Sequence, residues 1–148
     1  MADKHINLIK LCVGADQVED LEYWQAERRA EAESRGRDYL PTHVTRMWPK
    51  REAELVNGGS LYWVFKGLVL ARQQVLRLEP REGADGITRC AIVMAPEIIR
   101  TQPVPRRPFQ GWRYLTAGDA PPDLPKGREL DDELPAELSL ALAEIGLR

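Results

Sequence analysis

The chain has 148 residues, a size typical of a single domain with its own hydrophobic core. Hydrophobic residues make up 43% and charged residues 30% of the chain, which excludes a wholly disordered protein. No apolar run reaches the roughly 18 residues that a membrane-spanning helix needs, and the first residues lack the pattern of a secretory signal peptide. We therefore expect one domain over residues 1–148, cytoplasmic and without a membrane partner.

The net charge of −2 conceals a basic middle segment. Residues 37–118 carry 13 basic and 7 acidic side chains, a net charge of +6, whereas residues 1–36 carry −3 and residues 119–148 carry −5. A cluster of like charge raises the local potential whatever the total charge, so the middle segment indicates an anion-binding surface. The alternative is that folding brings the acidic ends over the basic middle and cancels this potential.

The first segment has the pattern of a strand followed by a helix. Residues 5–13 are apolar on both alternating sets of positions, which is typical of a strand covered on both faces. Gly14 ends this strand. Asp16 and Glu19 then have the spacing of a helix start, because the Asp16 carboxylate can accept hydrogen bonds from the first free backbone N–H groups. We expect a helix over about residues 17–34.

The middle of the chain predicts a series of strands. Apolar patterns bounded by glycine and proline indicate most of them, and Pro49 marks the first turn of a short helix that ends near residue 56. The predicted strands span residues 42–48, 61–65, 68–78 and 87–95, with shorter ones at 97–101 and 113–115. Because these strands are mostly consecutive, they predict an α+β domain rather than a doubly wound sheet.

Proline becomes frequent towards the C-terminus. Seven of the eleven prolines lie between residues 103 and 135, and we expect a proline-rich loop over residues 103–128. Residues 135–145 then predict a C-terminal helix, with proline at its first position and three apolar residues on one face. Consecutive short strands often curl so that no sheet edge is exposed. The predicted fold is a small mixed, largely antiparallel β-barrel or half-barrel with an N-terminal and a C-terminal helix.

Residues that hold metals or cofactors are scarce. The only histidines are His5 and His43, and neither has the spacing of a metal site. Cys12 and Cys90 lie in apolar segments, where packed thiols are expected. The chain has no glycine-rich phosphate loop, no dinucleotide fingerprint and no nucleophile elbow. We therefore predict neither a metal nor a cofactor.

Two stretches combine positive charge with aromatic rings. Residues 43–51 hold three fixed positive charges, a tryptophan and a histidine, and residues 100–114 hold four arginines, three aromatic residues and no acid. Guanidinium groups pair with phosphates and flat rings accept stacked bases, so this composition predicts contacts to single-stranded RNA or a nucleotide. The alternative is structural, because arginines also pack on aromatic rings in loops that close the end of a β-barrel. The predicted nucleic-acid contacts are Arg46, Trp48, Lys50, Arg51, Arg72, Arg106, Arg107, Phe109, Trp112 and Arg113.

The strand predicted over residues 68–78 has an unusual phase. Arg72 and Gln74 fall in the same alternating set as the leucines of this strand, so an unbroken strand would direct both towards the core. An arginine buried without a partner is costly. Three arrangements remain open: a β-bulge near Gln73 that exposes both residues, a structural ion pair of Arg72, or a pocket that both residues line.

Several sequence words of the chain occur together in a known family. The chain contains KLCVG, THVTRMWPKR, GGSLYWVFKG and RRPFQGWRYL in this order. With these words it resembles, over essentially its whole length, a small bacterial family of proteins labelled as a domain of unknown function, and this resemblance implies no activity. The chain is more distantly similar to the PUA-like fold of RNA-modifying enzymes and of ASCH and EVE domains. That likeness implies a base-binding site at the barrel mouth near Arg46, Trp48, Arg72 and Trp112.

Three functions are compatible with these features. The first is a binding module for RNA or a nucleotide, without catalysis of its own; it predicts binding that falls steeply with salt. The second is a small enzyme on the same barrel that acts on a modified nucleoside or an amide, with His43, Lys66 or Glu54 transferring protons; it predicts a concave pocket with a titratable group. The third is a protein-interaction or assembly factor that docks through residues 103–125 and the C-terminal helix; it predicts an exposed apolar patch beside the arginines.

Overall fold

The computed structural model describes residues 5–125, which form seven strands and two helices. In chain order the elements are β1 (Ile6–Leu11), α1 (Val18–Ser34), β2 (Thr42–Thr45), α2 (Glu52–Leu55), β3 (Ser60–Phe65), β4 (Leu68–Glu82), β5 (Thr88–Met94), β6 (Ile99–Pro105) and β7 (Trp112–Thr116). The strands form one mixed sheet in the order β2-β5-β4-β3-β1-β7, and β6 pairs with the first half of β4. All pairs are antiparallel except β1 with β3.

Strand β3 lies at the centre of the fold because both of its faces are apolar. Leu61, Trp63 and Phe65 contribute to the larger core cluster, which we call the inner core and which also contains Val18 and Leu21 of α1. Tyr62 and Val64 of β3 belong to a smaller cluster on the opposite face of the sheet, the outer core, which also contains Ile9, Val69 and Leu115. Every residue of β3 is buried, as expected for a strand with apolar residues at both alternating sets of positions.

The long strand β4 changes phase twice. Its register shifts between Val69 and Ala71 against β6, and again between Val75 and Arg77 against β5. Bulges of this kind re-aim side chains, and here they direct Gln73 into the inner core, where it is 0% exposed. Of the three arrangements left open by the sequence, the structural ion pair is present for Arg72, and Gln74 is exposed.

The sheet is strongly curved but open. The two ends of the strand order come close together, because the Trp112 indole N–H of β7 donates a 3.0 Å hydrogen bond to the backbone oxygen of Met47, two residues beyond β2. Among residues 5–125 no β2–β7 pairing closes a barrel. The α+β class and the largely antiparallel sheet are therefore as predicted, whereas a closed barrel is not formed.

Several boundaries differ from the expected ones. Strand β2 ends at Thr45 rather than at residue 48, and α2 has four residues. Strand β6 continues through Pro105, which lies in the segment expected to be a loop, because a strand that is paired along one edge tolerates proline. The predicted C-terminal helix lies outside the described residues. Within the described range, neither helix has the length and apolar character needed to cross a membrane.

Candidate nucleic-acid interface

The first basic stretch forms a loop that is fixed to strand β7. Besides the bond from Trp112 to Met47, the backbone N–H of Arg51 donates to the Tyr114 hydroxyl at 3.1 Å. The Arg51 guanidinium also lies over the Tyr114 ring, 5.5 Å from its centroid. These contacts hold the segment of residues 46–51, which we call the 46–51 loop, against the inner face of β7.

The 46–51 loop exposes both charge and apolar surface. Met47 is 66% and Trp48 is 37% exposed, and the Trp48 indole N–H donates a 3.0 Å hydrogen bond to the Glu52 carboxylate. Arg46 and Lys50 are exposed, and among residues 5–125 neither forms an ion pair.

Arg51 differs from the other two cations of this loop. Its guanidinium forms 3.0 Å and 2.7 Å hydrogen bonds with Glu54. These hydrogen bonds raise the pKa of Arg51, which is fully charged in any case. Arg51 therefore has an internal acidic partner that Arg46 and Lys50 lack within the described residues.

The second basic stretch begins in strand β6 and ends in strand β7, and the loop between these strands contacts the other face of β7. Arg106 donates its backbone N–H to Gly67 at 2.8 Å, which places the start of this segment beside the tight Lys66–Gly67 turn between β3 and β4. The side chains of Arg106 and Arg107 are exposed and, within the described part of the chain, form no ion pair. Phe109 packs against the outer core, and the Arg113 guanidinium lies 5.4 Å from its ring centroid.

Strand β7 is therefore the element at which the two stretches meet. Successive side chains of a strand point to opposite faces, so Trp112 and Tyr114 face the inner core and the 46–51 loop, whereas Arg113 faces the outer core and Phe109. The structure thus brings the two predicted stretches together at β7, but they lie on opposite faces of this strand. Trp112 itself is only 8% exposed, and its N–H is already bonded to Met47.

Arg72 has a structural partner instead of an open position. Its guanidinium donates 2.8 Å hydrogen bonds to both carboxylate oxygens of Asp123 and a third, also of 2.8 Å, to the Ser60 hydroxyl. These bonds lower the pKa of Asp123 and raise that of Arg72. Residues around Asp123 run beside β6, where Leu124 donates its N–H to Arg100 at 2.9 Å. The ion pair therefore fastens the segment after β7 to the sheet.

A buried amide cluster on the inner face was not found from the sequence. Gln73 and Gln25 exchange two hydrogen bonds of 2.9 and 3.0 Å through their side-chain amides. Gln73 also accepts a 3.1 Å bond from the Trp63 indole N–H and donates a 3.2 Å bond to the Ala95 carbonyl. The cluster joins α1 to β3 and β4, and the only sequence signal for it is a glutamine beside the apolar stripe of α1.

His43 also lies on the inner face, in contact with Trp63. The two rings meet edge to face with their centroids 5.4 Å apart, and His43 Nε2 is shielded from solvent without a hydrogen-bond partner. Burial, with smaller effects of Lys10 and Arg28, lowers the pKa of His43 to about 4. Burial also lowers the pKa of Lys10. His43 is therefore neutral near pH 7.

The other residues with catalytic potential are dispersed. Lys66 pairs with Asp16 at 3.6 Å on the surface, and Glu54 bonds to Arg51 on α2. Cys12 and Cys90 are buried, and burial raises the pKa of these thiols to about 12 and about 11. Across residues 5–125 no three histidine, cysteine, aspartate or glutamate side chains lie close enough to hold a metal ion.

Comparisons with known proteins identify a family but no activity. Residues 8–148 match the family model described as "Protein of unknown function (DUF1489)", in line with the resemblance found in the sequence words. No curated protein matches the chain, and no solved structure matches it.

Proposed function

This chain belongs to the DUF1489 family, and we propose that it is a binding module for single-stranded RNA or a nucleotide that uses both faces of strand β7. The observation that carries this proposal is the convergence of two basic stretches on one strand. Four cations of these stretches have no acidic partner in the described part of the chain: Arg46, Lys50, Arg106 and Arg107.

These four side chains are assigned to phosphate contacts. A guanidinium or ammonium that has no protein carboxylate nearby can neutralise a phosphate without first breaking an ion pair. Trp48 is assigned to base stacking because its side chain is 37% exposed. The hydrogen bond from its N–H to Glu52 already restricts the rotamers of the ring, so little conformational entropy is lost on binding.

The other predicted contacts are assigned to positioning. Arg51, Trp112 and Arg113 have partners inside the protein that hold the two loops against β7. Phe109 supports Arg113, and Arg72 is bound by Asp123. In its finer form the proposal is a PUA-like arrangement, with a base bound at the open end of the curved sheet near Trp112.

The total charge limits the kind of binding that we expect. A net charge of −2 and an isoelectric point of 5.8 differ from the strongly basic totals of proteins that coat nucleic acid without selectivity. The attraction is therefore local to the two loops. We expect a short binding site of a few nucleotides rather than coverage of a long strand.

The test is fluorescence anisotropy with a labelled, mixed-sequence single-stranded RNA and with DNA of the same sequence. We compare the wild type with Arg106→Ala, Arg107→Ala and the double variant. Both side chains are exposed, so the substitutions leave the fold intact. Binding weakens in each single variant and weakens further in the double variant, because each arginine contributes its own phosphate contact.

Arg81→Ala is the matched control. Arg81 is exposed and lies near the far end of β4, about 40 Å of extended strand away from the turn beside Arg106. It removes the same charge at a position outside both basic stretches. Equal loss of binding in Arg81→Ala and Arg106→Ala, or no RNA binding at low salt, would contradict the proposal.

A second candidate is a protein-docking surface at the same place. It is favoured by the exposure of Met47 and Trp48 beside Arg46 and Lys50, because aromatic residues and arginines carry much of the binding energy at protein interfaces. A partner that co-purifies with the wild type and is lost in both Met47→Ala and Trp48→Ala, in a protein that does not bind RNA, would favour this candidate.

A further inference from the structure

The segment that follows strand β7 passes over the outer face of the sheet. It leaves β7 after Thr116 and packs Ala120 against the outer core. It then runs beside β6, to which it is joined by backbone hydrogen bonds of 2.9 Å. We call residues 117–125 the strap. Near its end the Asp123 carboxylate meets the Arg72 guanidinium of β4.

We propose that the strap is autoinhibitory: the Asp123 carboxylate occupies the place of an RNA phosphate on Arg72 and keeps this arginine from binding the strand. This inference rests on the proposed function, since it concerns the regulation of RNA binding on the outer face of the sheet. Release of Asp123 adds a fifth phosphate contact to the four assigned above.

The geometry of the ion pair is the first argument. Arg72 donates from Nε and from Nη2 to the two carboxylate oxygens of Asp123, each at 2.8 Å. A guanidinium offers this pair of parallel donors to carboxylates and to phosphates alike. The Ser60 hydroxyl accepts a third bond, from Nη1 at 2.8 Å, which holds the arginine in place from the side of β3. A phosphate therefore fits the position of the carboxylate while Arg72 keeps its bond to Ser60.

The ion pair is also accessible. The side chain of Asp123 is 41% exposed and that of Arg72 is 22% exposed, so a ligand in solution reaches the guanidinium once the carboxylate moves away. On either side of Asp123, the strap is bonded to β6 through the backbone groups of Pro122 and Leu124. Release of this end is a local opening that leaves the strands of the sheet paired.

Arg72 lies on the same face of the sheet as the second basic stretch. Strand pairing places four residues in one row across β7, β1, β3 and β4: Arg113, Ile9, Tyr62 and Arg72. Paired residues have their side chains on the same face, and three strand spacings amount to about 14 Å in a flat sheet. The loop that carries Arg106 and Arg107 packs on this face through Phe109. An RNA strand held by that loop therefore has Arg72 within reach.

The charge pattern of the chain accounts for an acid at this position. Arg72 belongs to the basic segment of residues 37–118, and Asp123 belongs to the acidic segment of residues 119–148, which carries a net charge of −5. The pair thus covers one arginine of the basic middle with an acidic end. A phosphate that binds Arg72 has to break charge-assisted hydrogen bonds first, and this lowers the affinity for RNA.

The experiment is the RNA anisotropy titration with full-length variants of the ion pair. Asp123→Asn keeps the size of the side chain and removes its charge, and we expect it to bind RNA about five- to tenfold more tightly at low salt. The salt slope steepens from about −3 to about −3.5, because a fifth phosphate is contacted. Arg72→Gln breaks the same ion pair but brings no gain, since it uncovers no cation. In the double variant the gain of Asp123→Asn is lost.

The double variant distinguishes inhibition from a loosened strap. The strap lacks its ion pair in Asp123→Asn and in the double variant alike, so a gain caused by loosening would persist in both. Asp119→Asn is the matched control, because Asp119 is exposed on the same strap and forms no ion pair within residues 5–125. Unchanged affinity of Asp123→Asn, an equal gain in Asp119→Asn, or a gain retained in the double variant would each overturn the proposal.

The inference and the proposed function fail in different ways. RNA binding that weakens in Arg106→Ala but does not tighten in Asp123→Asn overturns only the autoinhibition. Absence of RNA binding in both the wild type and Asp123→Asn overturns the two together.

Discussion

His43 and Trp63 stand on strands that are three positions apart in the sheet, yet their rings meet with centroids 5.4 Å apart. Three strand spacings in a flat sheet amount to about 14 Å. The contact is therefore made across the concave face of a strongly curved sheet. This curvature places the 46–51 loop on β7.

Stability should depend on pH through His43. Burial lowers the pKa of the His43 imidazole from 6.5 to about 4 in the folded protein. The imidazole therefore takes up a proton at a higher pH in the unfolded chain than in the folded one. The contribution of His43 is therefore fully present above pH 6.5 and is lost as pH falls towards 4, by about 3 kcal/mol in total. Urea unfolding of the wild type and His43→Gln between pH 7 and pH 4.5 measures this difference.

In that experiment the free energy of unfolding of His43→Gln falls less steeply with decreasing pH than that of the wild type. His5→Gln is the control and keeps the wild-type slope. Parallel pH dependences of wild type and His43→Gln would show that the imidazole titrates normally in the folded protein.

The amide cluster predicts a large effect of an uncharged substitution. Gln73→Leu leaves the Gln25 amide, the Trp63 indole N–H and the Ala95 carbonyl without their partner, and we expect a loss of about 3 kcal/mol in the free energy of unfolding. Gln74→Leu, at the exposed neighbouring position, should change it by about 0.5 kcal/mol or less. Urea denaturation of both variants is the measurement, and equal effects would refute the role of the cluster.

The ion pair between Arg72 and Asp123 predicts a local effect. Asp123→Asn removes the charge that both guanidinium hydrogen bonds require, so the segment around it should separate from β6 more often. Hydrogen exchange of the backbone N–H groups of Gln102 and Leu124, which bond across this junction, should accelerate about tenfold. Asp85→Asn breaks the exposed pair at the β4–β5 turn and should leave these two rates unchanged.

Gly59 predicts a steric effect. A Cβ atom at this position would overlap the backbone oxygens of Ile6 and Leu55, and backbone atoms on β1 and α2 cannot move aside cheaply. We expect Gly59→Ala to cost about 3 kcal/mol or more, or to prevent folding. Gly118→Ala is the control because its Cβ would meet nothing within 4 Å. Similar melting temperatures of the two variants would contradict the close packing of Gly59.

Local patterns of the sequence predict most of the elements. The helix expected over about residues 17–34 is α1 at Val18–Ser34, and the short strand expected at residues 113–115 is part of β7. Both depend on contacts close in sequence, although the carboxylate at the helix start is Asp20, which accepts hydrogen bonds from the backbone N–H groups of Asp16 and Gln17, and not Asp16 as predicted. The strand predicted over residues 61–65 is β3, and it too follows from a local pattern, a continuous apolar run.

The parts that could not be predicted depend on long-range pairing. The alternation of β4 suggested one apolar face, but two register shifts against β5 and β6 turn Gln73 inward and leave Leu76 38% exposed. The phase of Arg72 and Gln74 made a bulge near Gln73 one of the alternatives, but the positions of the two register shifts are set by the partner strands. The same holds for the interior position of His43, which depends on how far the sheet curves.

The site could be predicted only as two separate stretches. Their composition marked Arg46, Lys50, Arg106 and Arg107, and the second stretch itself ends in β7, but nothing local indicated that the 46–51 loop would contact this strand. The internal partners of Arg72 and Trp112 were equally invisible, because Asp123 and Met47 are about 50 and 65 residues away in sequence.

The salt dependence of RNA binding tests the central claim most directly. With four phosphate contacts, the logarithm of the binding constant should fall with the logarithm of the salt concentration with a slope of about −3 for the wild type. Removing both Arg106 and Arg107 should reduce this slope to about −1.5. A slope near zero, or one that the double variant leaves unchanged, would show that these arginines do not contact phosphate and would contradict the account.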